Sequence, residues 1–219
     1  MYRLQKIKLK TIKDSYAIPR IEGILDRLHG AKYFTTVDMK AGYYQVAIEE
    51  NHKERTAFTL GPLGFWEFNK LPFGCSNSPA TFERIVEEIL GEYNMTICII
   101  YLDDLIIFSS TFEEHLERLN LVMSRLHQAG IKLSPEKCQF LQRKVRFLGH
   151  VVGPEGIETD PEKCTKVKEF PRPTNPDQLR SFVHLAGYYR KFIPNFSKVA
   201  RPLTDLLPPT AAKKGKKPS

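Results

Sequence analysis

Asp103 and Asp104 stand side by side between two apolar runs, 97–102 and 105–108, and no other charge lies in that stretch. Two carboxylates held together repel, and one keeps its proton unless a cation neutralises the pair. A divalent metal does that, and Mg²⁺ prefers carboxylate oxygens. Each flank has strand length and is rich in β-branched and aromatic residues, so the stretch reads as a hairpin with both aspartates at or beside its turn. Tight hairpin turns favour Asn-Gly or Asp-Gly, because positive φ is needed there. Asp-Asp serves that purpose poorly. Locally the pair is open to two readings, a solvated turn or part of a metal site. Asp38 bears on the choice. It ends a strand-like run, 33–37, and a sheet that set this run beside the hairpin would gather three carboxylates. Such a trio can hold two Mg²⁺, one lowering the pKa of an attacking hydroxyl and the other stabilising the leaving group of an in-line phosphoryl displacement.

The elements that must position these aspartates follow from periodicity and punctuation. Ile21, Ile24, Leu25 and Leu28 repeat at helical spacing, and His29-Gly30 ends that helix. Residues 43–48 resume an alternating, strand-like pattern past a break at Ala41-Gly42. Residues 55–60 and 65–68 read as strands joined by Gly61-Pro62-Leu63-Gly64, and 71–74 as a loop. Ser78-Pro79 predicts a helix start with Ser78 as the N-cap and Phe82, Ile85, Val86, Ile89 and Leu90 on the inner face. Thr111-Phe112-Glu113-Glu114 is a capping box for a helix with Leu116, Leu119, Met123 and Leu126 inward, stopped by Gly130. Short strands are expected over 131–133, 138–141 and 146–152. Two capped helices follow, from Asp160-Pro161 to before Pro171 and from Asn175-Pro176-Asp177-Gln178 onward, with a last helical piece inside 195–207. The second buries Leu179, Phe182, Val183 and Ala186. Strand-rich α+β material gives way to helical material near Gly153-Pro154-Glu155-Gly156, so the boundary is set between 152 and 153. Residues 208–219, rich in Pro, Ala and Lys without an apolar period, read as a disordered basic tail.

The chain of 219 residues, 42% apolar, is long enough for one large domain or two small ones. A net charge of +8 admits a polyanionic partner, although lysines also simply solvate a surface. The four cysteines, Cys75, Cys98, Cys138 and Cys164, form no CxxC pair, which argues against a zinc site or a disulfide framework and fits a reduced, intracellular setting. No stretch approaches the roughly 18 apolar residues of a membrane span, and the basic residues 1–13 lack the apolar core of a secretion signal. The expected location is cytoplasmic or nuclear, with no membrane partner and no secretion.

Seven blocks then occur in order: Phe34-Thr35-Thr36-Val37-Asp38, Gly42-Tyr43-Tyr44-Gln45-Val46, Leu71-Pro72-Phe73-Gly74, Ser78-Pro79-Ala80-Thr81-Phe82, Tyr101-Leu102-Asp103-Asp104, Phe147-Leu148-Gly149-His150, and Leu185-Ala186-Gly187-Tyr188-Tyr189-Arg190-Lys191-Phe192-Ile193. Together they resemble the reverse transcriptase of gypsy-type LTR retrotransposon polyproteins, over nearly all of 11–207. The resemblance implies an α+β right-hand polymerase: a palm with partial fingers over 1–152, a thumb-like helical subdomain over 153–207, and the tail 208–219. It implies that Asp38, Asp103 and Asp104 are the catalytic carboxylates and metal ligands, for two Mg²⁺ with Mn²⁺ as a substitute. It assigns Met39, Ala41, Gly42, Tyr43, Phe73 and Gly74 to the incoming nucleotide. Met39 lends its carbonyl to a metal. Tyr43 is either a steric gate against the 2′-OH or a core aromatic. Phe147, Leu148, Gly149 and His150 match a primer grip. Tyr188, Tyr189, Arg190 and Lys191 suit stacking and phosphate contact, or a buried tyrosine beside solvated cations. The implied partners are an RNA or DNA template with primer and a dNTP; the oligomeric state is open.

Cys75 departs mildly from the family's usual Leu. The basic fingers segment expected before residue 11 is represented only by Tyr2-Arg3-Leu4, which reads as an N-terminal truncation. Three functional readings follow. The first is an RNA-directed DNA polymerase core joining a primer 3′-OH to the α-phosphate of a dNTP. The second is a catalytically impaired nucleic-acid-binding remnant. The third is the RNase H of the parent polyprotein, for which this chain carries no carboxylate cluster. Lys213-Lys214 and Lys216-Lys217 are a basic patch or, more simply, part of a linker.

Overall fold

A computed structural model describes residues 11–14, 16 and 19–208. The segments 1–10 and 209–219, which include Tyr2-Arg3-Leu4 and the lysine pairs, lie outside the described residues. The chain divides into two compact units between Ile157 and Glu158, a few residues past the boundary expected at 152/153.

The first unit opens with α1 (Ile21–Arg27), closed by a tight turn through the positive-φ Gly30, and continues into β1 (Tyr33–Asp38). The alternating pattern over 43–48 is not a strand: Gly42–Gln45 form a 3-10 turn, entered through Ala41 in the left-handed region at φ 48°. The physical cause is Gly42, whose missing Cβ lets the backbone lie against the ring of Phe82; an added Cβ would sit 2.6 Å from that ring's Cζ. The one-turn α2 (Glu50–Lys53) precedes a small hairpin of β2 (Phe58–Thr59) and β3 (Phe65–Trp66), both much shorter than expected. Helix α3 (Ser78–Leu90) has Asn77, not Ser78, at its N-cap. Ser78 is instead buried, its hydroxyl donating to the carbonyl of Pro72 at 3.0 Å. Its inner face also differs: Phe82, Glu83, Val86 and Leu90 are buried, whereas Ile85 and Ile89 are only partly so.

Strands β4 (Cys98–Tyr101) and β5 (Asp104–Ser109) make the expected hairpin, with Leu102 and Asp103 as its two-residue loop. Helix α4 (Phe112–Gln128) is capped by Thr111, which accepts from Glu114 N, while the Glu114 carboxylate accepts from Ser110 N. Leu116 is exposed, and His115, Val122 and Leu126 are the buried residues. Then come β6 (Gln139–Gln142), β7 (Val145–Phe147), β8 (His150–Gly153) and β9 (Gly156–Thr159), the last reaching the division between the units.

The main sheet has the order β4-β5-β1-β6 and is antiparallel at each join. Both of its faces are covered, which is why the hairpin strands are continuously apolar instead of alternating. Cys98, Ile100, Leu105 and Ile107 pack with Phe82, Val86, Leu90, Val122 and Leu126 of α3 and α4. Ile99, Ile106, Phe108 and Phe34 pack with Ile24, Leu25 and Leu28 of α1 and with Val145, Phe147 and Val152.

The second unit holds α5 (Pro161–Lys168), α6 (Pro176–Gly187) and α7 (Phe196–Thr204). Asp160 and Asn175 cap the first two by accepting from Glu162 N and Gln178 N. Leu179, Phe182, Val183 and Ala186 are only half-buried. Tyr189 is buried, and Tyr188, Arg190 and Lys191 are exposed. Among the described residues no helix is long and apolar enough to cross a membrane.

Candidate active site

The register of the sheet places Asp38 and Asp104 directly opposite each other at the end of the β1–β5 pair. Opposed residues on antiparallel strands share a face and lie about 5 Å apart at Cβ. By strand alternation this is the face carrying Phe34, Ile106 and Phe108. Asp103 lies one residue earlier, in the loop, and its carboxylate interacts with the hydroxyl of Tyr43, a residue of the opposite core. Two carboxylates therefore face one way, and the third is turned toward the 3-10 turn at 42–45. Among the described residues no group of three or more His, Cys, Asp or Glu side chains closes into a ready-made metal site.

The electrostatics match this arrangement. Asp103 is pushed above the ordinary carboxylate range by burial, is partly restored by the Tyr43 hydroxyl, and is raised again by the charge of Asp38. Asp104 is raised by burial and then by Asp103 and Asp38. A divalent cation would relieve this crowding of hard oxygen donors, in which Asp38 raises both Asp103 and Asp104. Lys137, unremarked in the sequence reading, supplies a partial substitute, with its ammonium 3.7 Å from Asp38 Oδ1. The donor chemistry fits a hard metal ion.

One cavity borders the carboxylates and a second borders Tyr43. The first, of about 160 Å³, is lined by Asp38, Asp104, Lys137, Arg146, Phe147 and Leu148 among others. It thus brings half of the predicted primer-grip block to the aspartates. That block is the tight turn between β7 and β8, with Leu148 and Gly149 both at positive φ. His150 points inward; it is buried and its Nδ1–H donates to Leu148 O at 2.9 Å.

The other cavity, of about 650 Å³, is lined by Tyr43, Gly74, Cys75, Ser76, Asn77 and Pro79, with Lys13 and Asp14 at its rim. Tyr43 is nearly buried, with ring centroids 4.8 Å from Phe73 and 5.5 Å from Phe82, and burial raises its pKa to about 12. Phe73 is half-exposed beside it, and Gly74 has φ 94°. Met39 is buried and pairs with Leu133 through an isolated bridge. Gln45 secures the whole turn: its amide donates to Lys40 O and Lys132 O at 2.8 and 2.9 Å and accepts from Lys132 N at 2.7 Å.

Two residues of this site escaped the sequence reading. Lys137 sits beyond the hairpin and meets Asp38 because Ser134 N and Cys138 Sγ, on either side of it, bond the Asp38 backbone beside the β1–β6 pair. Glu83 was hidden among apolar helix positions, and its full burial had no periodic signal.

Residues 2–152 match the protein family described as reverse transcriptase (RNA-dependent DNA polymerase). Over 93% of its length the chain is 42% identical to the retrovirus-related Pol polyprotein from transposon 297 of Drosophila melanogaster, and it covers 19% of that protein. It is 41% identical to the corresponding polyprotein from transposon gypsy, covering 93% of itself and 20% of the relative. The chain thus spans about a fifth of the curated relatives it matches. Among solved structures it resembles a foamy viral protease-reverse transcriptase in complex with ds DNA, at TM-score 0.85 and 29% identity over 93% of this chain and 36% of that one. A complex of the foamy viral protein with an RNA/DNA hybrid gives TM-score 0.80 at 29% identity, over 92% of this chain and 27% of that one.

Proposed function

We propose, from the premise that this chain belongs to the reverse transcriptase (RNA-dependent DNA polymerase) family, that it carries the polymerase chemistry of an LTR retrotransposon polyprotein. Its α+β architecture is the right-hand polymerase fold of the foamy viral enzyme. The observation that carries the reading is the Asp38–Asp104 register with Asp103 in the adjoining loop.

In this reading the substrate is a primer paired to an RNA or DNA template, in the reducing interior of a cell. The primer 3′-OH attacks the α-phosphate of a dNTP and pyrophosphate leaves. Asp38, Asp103 and Asp104, with the Met39 carbonyl, would hold two Mg²⁺, or Mn²⁺ in their place. Such ions, when bound, activate the attacking hydroxyl and neutralise charge on the leaving group. The chain's own residues bind and orient. Phe147 and Leu148 flank the cavity that Asp38 and Asp104 share, and would set the primer end. Ala41, Gly42, Phe73 and Gly74 would frame the nucleotide, with Tyr43 as the gate that would exclude a 2′-OH. Gly42 permits close backbone approach. Asp103, beside the Tyr43 hydroxyl, and Asp38, paired with Lys137, would both be free to ligate a cation that replaced the Lys137 charge.

The test is primer extension on an RNA template with Mg²⁺, comparing the native chain with Asp103→Asn. Metal-borne charge stabilisation is worth several kcal/mol, so the variant should fall by at least about a hundredfold. Equal extension by both would refute the assignment. Salt-dependent binding of template–primer by the native chain with no dNTP incorporation would identify a binding remnant instead.

A further inference from the structure

Glu83 is fully buried in the middle of α3, and one of its carboxyl oxygens, Oε2, has no hydrogen-bond partner. An orphan carboxyl oxygen in a core is costly, and such a group in a folded protein calls for a specific explanation. The other oxygen, Oε1, accepts from Leu102 N at 3.5 Å. Leu102 is the first residue of the loop that presents Asp103, and its φ is 57°. A branched L-residue rarely adopts that conformation unless its surroundings hold it there. The neighbouring residue Phe82 abuts the backbone of Gly42, next to Tyr43, whose hydroxyl acts on Asp103. One turn of α3 therefore bears on both sides of Asp103. The charge balance is unhelpful to folding: burial and the nearby Glu87 both disfavour an ionised Glu83, and the Leu102 amide alone favours it. A Leu or Met at 83 would fill the core without these costs.

We propose that Glu83 is a positioning residue for Asp103: its buried carboxyl holds the Leu102 amide and so keeps the left-handed loop in the conformation that aims the Asp103 carboxylate. The role rests on the reading of Asp103 as a metal ligand. It operates through the backbone, since Glu83 reaches the loop amide and not the aspartate. Residues that orient metal ligands typically change metal affinity by about 10- to 100-fold when removed.

The experiment uses the full chain and two readouts, hydrogen exchange at the Leu102 amide and Mn²⁺ affinity by electron paramagnetic resonance, each with a melting curve. Glu83→Gln keeps an acceptor at the same reach, and should leave both readouts within about twofold of the native chain. Glu83→Leu removes the acceptor; exchange at Leu102 should quicken by about tenfold and Mn²⁺ should bind about tenfold more weakly. Should the leucine variant fail to fold, Glu83→Asp draws the carboxyl back by one methylene and is expected to behave as the leucine variant does. Unchanged exchange and affinity in the leucine or aspartate variant would overturn the proposal, as would equal losses in Glu83→Gln. Absence of Mn²⁺ binding by the native chain would sink the metal reading of Asp103. In that case the exchange readout still decides whether Glu83 holds the loop.

Discussion

The hydroxyl of Tyr43 and the carboxylate of Asp103 are close enough to perturb each other, Asp103 raising the phenol and Tyr43 lowering the carboxyl. The residue expected to judge the sugar of an incoming nucleotide is thereby tied to the residue expected to hold its metal. That interaction favours the ionised form of Asp103, so losing it raises that carboxyl's pKa further. Metal binding needs the ionised form, and the acidic limb of Mn²⁺ binding in Tyr43→Phe should move to higher pH. Ring truncation tests the other half of the link. Tyr43→Ala should raise ribonucleotide incorporation relative to dNTP by about tenfold to a hundredfold, read by single-nucleotide extension.

Asp104 faces Asp38 across the strand pair, and both it and Asp103 have folded-state pKa values above the ordinary carboxylate range. A raised folded pKa means stability that is complete below the unfolded value of about 3.9 and lost as pH rises through the folded value. In the presence of a chelator at pH 7, Asp104→Asn should therefore melt higher than the native chain, and the gap should close toward pH 4. Asp104 keeps access to solvent, so screening limits the gain to about 2 °C. Addition of Mg²⁺ should reverse the order, because only the native chain gains a full ligand set.

Gln45 stitches the 3-10 turn at 42–45 to Lys132, ahead of β6, by two hydrogen bonds and to Lys40 O by a third. Gln45→Ala should lower stability by about 1–2 kcal/mol in urea denaturation. In primer extension it should raise the KM for dNTP more than it lowers kcat. Gln45→Glu should be worse than alanine at neutral pH, since a carboxylate would face the carbonyls of Lys40 and Lys132, and should recover toward pH 4.

His115 sits fully buried between β1 and β5, with Nε2 2.8 Å from Thr35 Oγ1 and Nδ1 3.0 Å from Ser109 Oγ. Ser109 donates to Thr111 O and so accepts from His115 Nδ1–H; Thr35 accepts from Leu141 N and its hydroxyl hydrogen can then go to Nε2. Burial, and then the charge of Arg118, lower the His115 pKa against a smaller opposite pull from Glu114; Tyr33 packs on the ring from β1. A depressed folded pKa gives stability that is present above the unfolded value of about 6.5 and lost as pH falls through the lower folded value. Melting curves from pH 7.5 to 5 should drop for the native chain and stay nearly flat for His115→Gln. The variant should start about 1–3 kcal/mol lower because its amide cannot satisfy both hydroxyls at the same spacing.

The sequence alone determined the hairpin, the strand ending at Asp38, the capped helices at Thr111, Asp160 and Asn175, and the family, because each rests on local residue chemistry or on ordered short blocks. Asp103 and Asp104 were legible for the same reason: adjacent like charges between apolar strands are conspicuous one-dimensional features. Tertiary structure decided what depends on register and on close approach. Strand pairing set Asp38 against Asp104 while leaving Asp103 on the other side with Tyr43. Contact of Gly42 with Phe82 turned an alternating stretch into a 3-10 turn. Bonds from Ser134 and Cys138 to the Asp38 backbone carried Lys137 to Asp38. Glu83 shows the limit most plainly. On a helix whose hydrophobic face is read from its apolar residues, a charged residue is counted as solvent-facing, and only the loop amide of Leu102, nineteen residues away in sequence, gives it a reason to be inside.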